Sequence, residues 1–342
     1  MSTSPLGDIL FAFLSILLEG APYILLGTLI SGFIDAYLPA GVMEKLLPKR
    51  VLPAILVSGL LGAVFPVCEC AIVPVIRRLV QKGLPVGCAI TYMLAAPIIN
   101  PIVVFSTASA FSGQDPVFMT SSRLIMAYIV AVVAGIVVSR LPIAAVLRGR
   151  VVRDLQAAGH SGVMAAGNLR ETEERERVSV GSRIRSLWHR LGEGMRSLSG
   201  SGDQRLIQAV RTAQRDFCDT GMFFVIGVAI TSVFNTQFDQ ALLDPIAGND
   251  AFAVPAMMVL AFVLSLCSTS DAFIAAAMDT FSQVAKLAFL VFGPMMDIKL
   301  VFMYLAVFNR RFVIGTVFGL FVLIIVLCLG WSVANPAALM SR

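Results

Sequence analysis

The residues able to do chemistry in this chain lie in a few short stretches set inside apolar sequence. In FPVCECAIVP, residues 65–74, Cys68 and Cys70 flank Glu69, and Pro66 and Pro74 bracket the three. Paired thiolates suit soft cations and thiophilic centres. Buried cysteine also serves as a small apolar filler. A carboxylate at membrane depth costs about 3 kcal/mol when unpaired, which makes Glu69 a functional candidate unless it lies near an interface or pairs with a neighbouring helix. On a regular helix, residues two apart point about 200° away from each other. On extended backbone they share a side. Each proline removes a helix hydrogen bond, and non-helical backbone survives at membrane depth only inside protein or along a wet cavity. The expectation is a broken or unwound stretch over 66–74, with both thiols turned to one solute.

Three further stretches fit the same pattern. LCSTSDAF, residues 266–273, offers Cys267, the hydroxyls of Ser268, Thr269 and Ser270, and the acid Asp271. Such hydroxyls can cap backbone groups freed where a helix breaks, or pack between membrane helices. AAPIINP (95–101) sets Pro97 and Pro101 around Asn100, and FGPMMDIK (292–299) sets Pro294 near Asp297. Interrupted segments at corresponding places in two halves point to a transporter's central site. Lys299 either pairs with an acid or snorkels to an interface. Two cysteines do not make a structural zinc site, which takes four ligands. No firm metal site is read; Cys68, Cys70 and Cys267 are the soft-ligand candidates.

The elements that must carry these residues are membrane helices. The 342 residues are 58% hydrophobic and 14% charged, with a mean hydropathy of +0.87; an ordinary soluble domain carries about 25% charged residues. Apolar runs long enough to cross a hydrocarbon layer of about 30 Å recur along the chain. The fold class is all-α: a polytopic helical membrane protein with about eight spans, near 8–37, 51–76, 84–108, 120–142, 216–235, 253–280, 284–308 and 311–334. The first run lacks a basic leader and is too long for a signal peptide, so it reads as a retained helix. The six cysteines fall mostly in apolar runs, unlike an extracellular disulfide framework. His160 and His189 fall in the polar region between the two groups of spans.

The chain divides into a first membrane repeat (1–142), an Arg-rich linker (143–210) and a second repeat (211–342). LLEGAPYILLGTLISGFI (17–34) aligns with FCDTGMFFVIGVAITSVF (217–234), and AAPIIN with FGPMMD. Between 145 and 210 lie eleven arginines and seven acids. Basic loops favour the cytoplasm, which places the linker there, partly disordered, with a surface helix near 203–215. Nothing resembles a nucleic-acid reading motif. An even number of spans per half would make the repeats parallel and put both termini inside. It would also strand Lys45, Lys49, Arg50, Arg310 and Arg311 outside. An odd number would make the repeats inverted.

PVCECAIVPVIRRLVQKGLPVGCAITYMLAAPIINPIVVFST and the segments LSLCSTSDAFIAAAM and KLAFLVFGPMMDIKLVFMYLAVF resemble the signatures of a predicted permease family that includes organoarsenical efflux permeases. The resemblance implies a multi-span inner-membrane permease. It puts Cys68, Cys70, Pro97, Asn100, Cys267, Asp271, Pro294 and Asp297 at signature positions. The function expected is therefore efflux of a small thiophilic solute, an organoarsenical or a soft metal or metalloid. The candidate substrate site is Cys68, Glu69, Cys70, Pro97, Asn100, Cys267, Ser268, Ser270, Asp271, Pro294 and Asp297. The expected surroundings are the lipid bilayer of the cell membrane, with no cofactor. No nucleotide-binding signature appears, so energy coupling in this chain would be ion-driven or absent. A membrane thiol–disulfide oxidoreductase using Cys68 and Cys70 is the alternative. It would need an electron partner and an accessible thiol.

Overall fold

The computed structural model describes residues 5–37, 48, 50–65, 67–113, 115–148, 202–237 and 250–334. The expectations placed on Pro66, on the two histidines and on the linker from 149 to 201 lie outside the described residues. The structure is all-helical there, and each of the eight apolar segments is helical. Among the described residues, five helices are long and apolar enough to cross a membrane, joined by shorter apolar ones.

Small residues set the directions of the helices. Helix α1 (Pro5–Tyr37) packs antiparallel to α8 (Gly202–Gln237). Gly20 abuts Phe224, and Gly32 abuts Ala209 and Ala213. The surface helix expected near 203–215 is the first part of α8, continuous with the span. Helix α3 (Glu69–Gln81) runs parallel to α1. Gly27 lies on Ala71, Ser31 Oγ donates to the Pro74 carbonyl at 3.3 Å, and Lys82 Nζ donates to the Asp35 carbonyl at 2.8 Å. Helix α2 (Val51–Val64) runs alongside α4 (Val86–Ala95), with Gly59 near Thr91 and Gly62 against Ala96. The pair α2–α3 therefore enters from the Tyr37 end of α1, turns at 65–68, and returns to the same face.

Helices α4 and α5 (Pro101–Ala110) make one crossing broken at 96–100. Helix α6 (Pro116–Ser139) comes back, with Gly135 and Ser139 against Gly87. After the short α7 (Ile143–Val146), Leu147 bridges Phe308, and Arg148 N–H donates to the Val307 carbonyl at 3.0 Å. The linker's start and the beginning of α13 (Arg310–Ala334) thus share a face. The linker's far end joins the same face, where Thr212 Oγ1 donates to Asp35 at 3.2 Å. An ion cluster ties α1, α3 and α8 together there. Arg78 grips Asp216 with Nε and Nη2 at 3.0 and 2.9 Å, and Arg77 reaches Asp219 at 3.4 Å.

Helix α8 starts at the face where α1 ends, so the second half begins from the opposite end. Helix α9 (Asp250–Leu264) and α10 (Asp271–Ala277) enter and return on the far face, turning at 265–270. Helices α11 (Gln283–Met295) and α12 (Ile298–Val307) make one crossing broken at 296–297. Lys286 Nζ lies 6.0 Å from the centroid of the Phe111 ring, so α11 begins beside the end of α5. Two of the apolar segments, 51–76 and 253–280, fold back instead of crossing. Each half then makes three crossings, and the Pro5 end of α1 and the Ala334 end of α13 lie opposite the linker. The expectation that both ends share the linker's face assumed an even count of crossings.

Candidate functional site

The first break is shorter than the sequence suggests. Cys68 is the N-cap of α3, in extended conformation, and the helix begins at Glu69. The Cys68 carbonyl takes the N–H groups of Ala71 and Ile72 at 3.1 and 3.2 Å. The described residues that leave the helix are Phe65, Val67 and Cys68; Pro74 sits inside α3. Lacking an N–H, Pro74 gives the Cys70 carbonyl no partner one turn on. Cys68 at the cap and Cys70 in the first turn still line one cavity, because the cap residue is extended while its neighbours are helical.

The second break, 265–270, passes through Ser265 with φ at 49°. Cys267 offers its carbonyl to the N–H groups of Ser270 and Asp271 at 3.0 and 2.9 Å. This turn is the counterpart of the one at Cys68. In both halves an acid is the first residue of the returning helix, Glu69 in α3 and Asp271 in α10.

Between the two breaks lies a cavity of about 60 Å³, lined by Glu19, Tyr23, Cys68, Glu69, Cys70, Phe224, Cys267, Ser270 and Lys299 together with apolar side chains. That is room for a few water molecules. All three candidate cysteines reach it. Among the described residues, no three His, Cys, Asp or Glu side chains are placed to hold a metal ion together.

Behind the cavity runs a buried polar network that crosses between the halves. Lys299 Nζ lies 3.7 Å from Glu69 Oε1 and 3.4 Å from Asp297 Oδ2, and donates to the Ser265 carbonyl at 2.8 Å. Ser268 Oγ donates to Glu69 Oε2 at 3.2 Å. Arg123 Nη2 donates to Asp271 Oδ2 at 2.7 Å and to the Ser268 carbonyl at 3.2 Å, and its Nη1 donates to Thr107 at 2.7 Å. The five charged residues are each 3% exposed or less. Each helix-starting acid is thus met by a cation from the other half: Glu69 by Lys299, Asp271 by Arg123.

The remaining sequence candidates lie around this centre. Asp297 caps α12 through the Leu300 N–H at 2.6 Å and joins the network through Lys299. Ser268 and Asp271 join it without lining the cavity. Asn100 caps α5 through the Ile102 N–H at 3.0 Å, and neither it nor Pro97 or Pro294 lines the cavity. Of the breaks at 95–101 and 292–299, Lys299 is the residue that lines this cavity. Sequence reasoning missed Arg123, although a lone arginine within an apolar span is itself a signal. Glu19 and Tyr23 were missed as well, although an acid within an apolar span, as Glu19 is, gives the same signal.

Broken helices around a small cavity with both charged and apolar walls, enclosed in apolar surface, define a multi-pass helical membrane protein. The chain belongs to the ArsP_1 family of predicted permeases, whose profile matches residues 6–331. It is 35% identical over 302 residues to the UPF0718 protein YcgR of Bacillus subtilis, covering 88% of this chain and 89% of that one. It is 33% identical over 319 residues to a putative two-component membrane permease complex subunit of Streptococcus mutans, covering 93% and 92%. No solved structure matches it.

Proposed function

We propose that this permease exports a small thiophilic solute, of the organoarsenical or soft-metalloid kind, through the cavity between the two helix breaks. The observation that carries the reading is the convergence of Cys68, Cys70 and Cys267 from both halves on one polar cavity. Thiolates are strong soft ligands, and a cavity not built to chelate a resident metal suits a passing solute. The substrate-binding set is Cys68, Glu69, Cys70, Cys267 and Ser270 at the wall. Ser268, Asp271 and Asp297 hold the wall's charges, and Pro97, Asn100 and Pro294 shape the flanking breaks. The opposed courses of the halves support an inverted repeat on either side of the linker. Arg77, Arg78, Lys82, Arg140, Arg148, Arg310 and Arg311 gather at the linker's face, which supports a cytoplasmic linker. Burial of Cys70 counts against a thiol oxidoreductase, which needs an accessible thiol. The printed name of the Streptococcus relative also makes a second subunit a fair partner to seek.

The test is uptake of trivalent methylarsenical into everted membrane vesicles. The Cys68→Ser/Cys70→Ser variant, inserted at parental level, should lose at least about tenfold in rate, because a hydroxyl is a hard ligand of nearly the same size. Transport at the parental rate would return the cysteines to a packing role.

A further inference from the structure

The charges of the buried network do not balance. Glu69, Asp271 and Asp297 supply three carboxylates; Arg123 and Lys299 supply two cations. Arg123 and Asp271 form a close one-to-one pair at 2.7 Å. The surplus falls on the other pair of acids, which share the single ammonium of Lys299. Asp297 Oδ2 is buried, faces Lys299 Nζ at 3.4 Å and makes no hydrogen bond; Asp271 Oδ1 is likewise buried without one. An uncompensated charge in such a place is strongly unfavourable. Two carboxyls facing one site relieve it by keeping a proton on one of them.

We propose that the Glu69–Lys299–Asp297 triad holds one exchangeable proton, taken from and returned to cavity water at Glu69. Glu69 lines the cavity and Asp297 does not, so Glu69 is the door and Asp297 the inner partner. Lys299 lies between them and can shift its weight from one carboxylate to the other as the proton moves. Its use as a driving ion rests on the permease reading; its presence does not.

The other ionisable groups around the triad are these. From α1, Glu19 stands at the exposed side of the cavity, with Tyr23 beside it. The breaks present the thiols of Cys68, Cys70 and Cys267, while α8 presents only Phe224. On α12 the Tyr304 hydroxyl is committed to the Met295 carbonyl at 3.2 Å. The Arg123–Asp271 pair connects through Ser268. None of these adds a cation that would balance the surplus.

The proton can be seen without any substrate. Infrared spectra of the purified full-length protein at neutral pH, in H₂O and D₂O, should show a protonated-carboxyl band that shifts on deuteration. The band should vanish in Glu69→Gln and in Asp297→Asn, each of which leaves one acid for one ammonium. It should grow about twofold in Lys299→Met, where two acids lose their cation. Should those variants fail to fold, Ser268→Ala removes only the hydroxyl donated to Glu69, and it should move the band's frequency while leaving its intensity. Absence of the band from the parent, or its persistence unchanged in both acid variants, overturns the proposal. So does a parent without the band that is stabilised by sodium over potassium, since sodium would then carry the compensating charge. Vesicle transport of the arsenical is a separate measurement, so either idea can fail alone.

Discussion

Arg123 and Asp271 join the two halves through a pair of charges that water does not reach. Removing one partner strands the other, which costs about 3–5 kcal/mol for a buried pair. Arg123→Met should therefore lower thermal stability in detergent by that order. Arg123→Met/Asp271→Leu should recover most of the loss, because neither charge is then left alone. A double variant no more stable than the single one would show that the pair's geometry matters beyond its charge. At this scale the sequence was legible where residue type was unusual for its surroundings. Cys68, Glu69, Cys70, Cys267 and Lys299 stood out against hydrocarbon, and all line the cavity. Arg123 stands eight residues into α6 and reads as an interface residue when only distance from a span's end is counted. Pro74 misled in the other direction: as the sixth residue of α3 it costs the helix the bond to the Cys70 carbonyl, and the helix continues through it.

Among the elements, the close approach of α1 to α3 depends on Gly27. A Cβ there would stand 2.6 Å from the Ala71 carbonyl oxygen, an atom that cannot swing aside. Gly27→Val should push the two helices apart and cost about 1–3 kcal/mol of stability, the usual range for overpacking. The cavity should loosen with it, since α1 supplies Glu19 and Tyr23. Thermal unfolding together with labelling of Cys68 by a small thiol reagent would check both; unchanged stability and labelling would mean that α1 is not held there. Helix existence was readable from apolar length, and the breaks near 100 and 297 from proline with a capping Asn or Asp. Reversal of direction was not. A hairpin of two short apolar helices and one long tilted span have the same composition, and hydropathy counts residues without sensing a turn. Only contacts such as Gly62 with Ala96 and Lys82 with Asp35 separate the two cases.

For the whole molecule, three crossings per half give a prediction about sidedness. In a Cys218→Ser background, Ser112→Cys marks the far face and Arg148→Cys the linker face. With the linker in the cytoplasm, an impermeant thiol reagent should reach the first in intact cells and the second only after lysis. The reverse result would overturn the orientation, and equal access from one side would overturn the count of crossings. The opposed courses also bear on how the chain is made. Since α1 and α8 are antiparallel, they must enter the bilayer in opposite senses during synthesis, which calls for a cue that differs between them. The stretches that follow α1 and α8 differ in charge: residues 38–50 carry Lys45, Lys49 and Arg50, while 238–250 carry Asp239, Asp244 and Asp250. Lysines and arginines are the residues retained on the side of synthesis. With the linker in the cytoplasm, those lysines and arginines would hold the end of α1 on the side of synthesis, and the acids would leave the end of α8 free to cross.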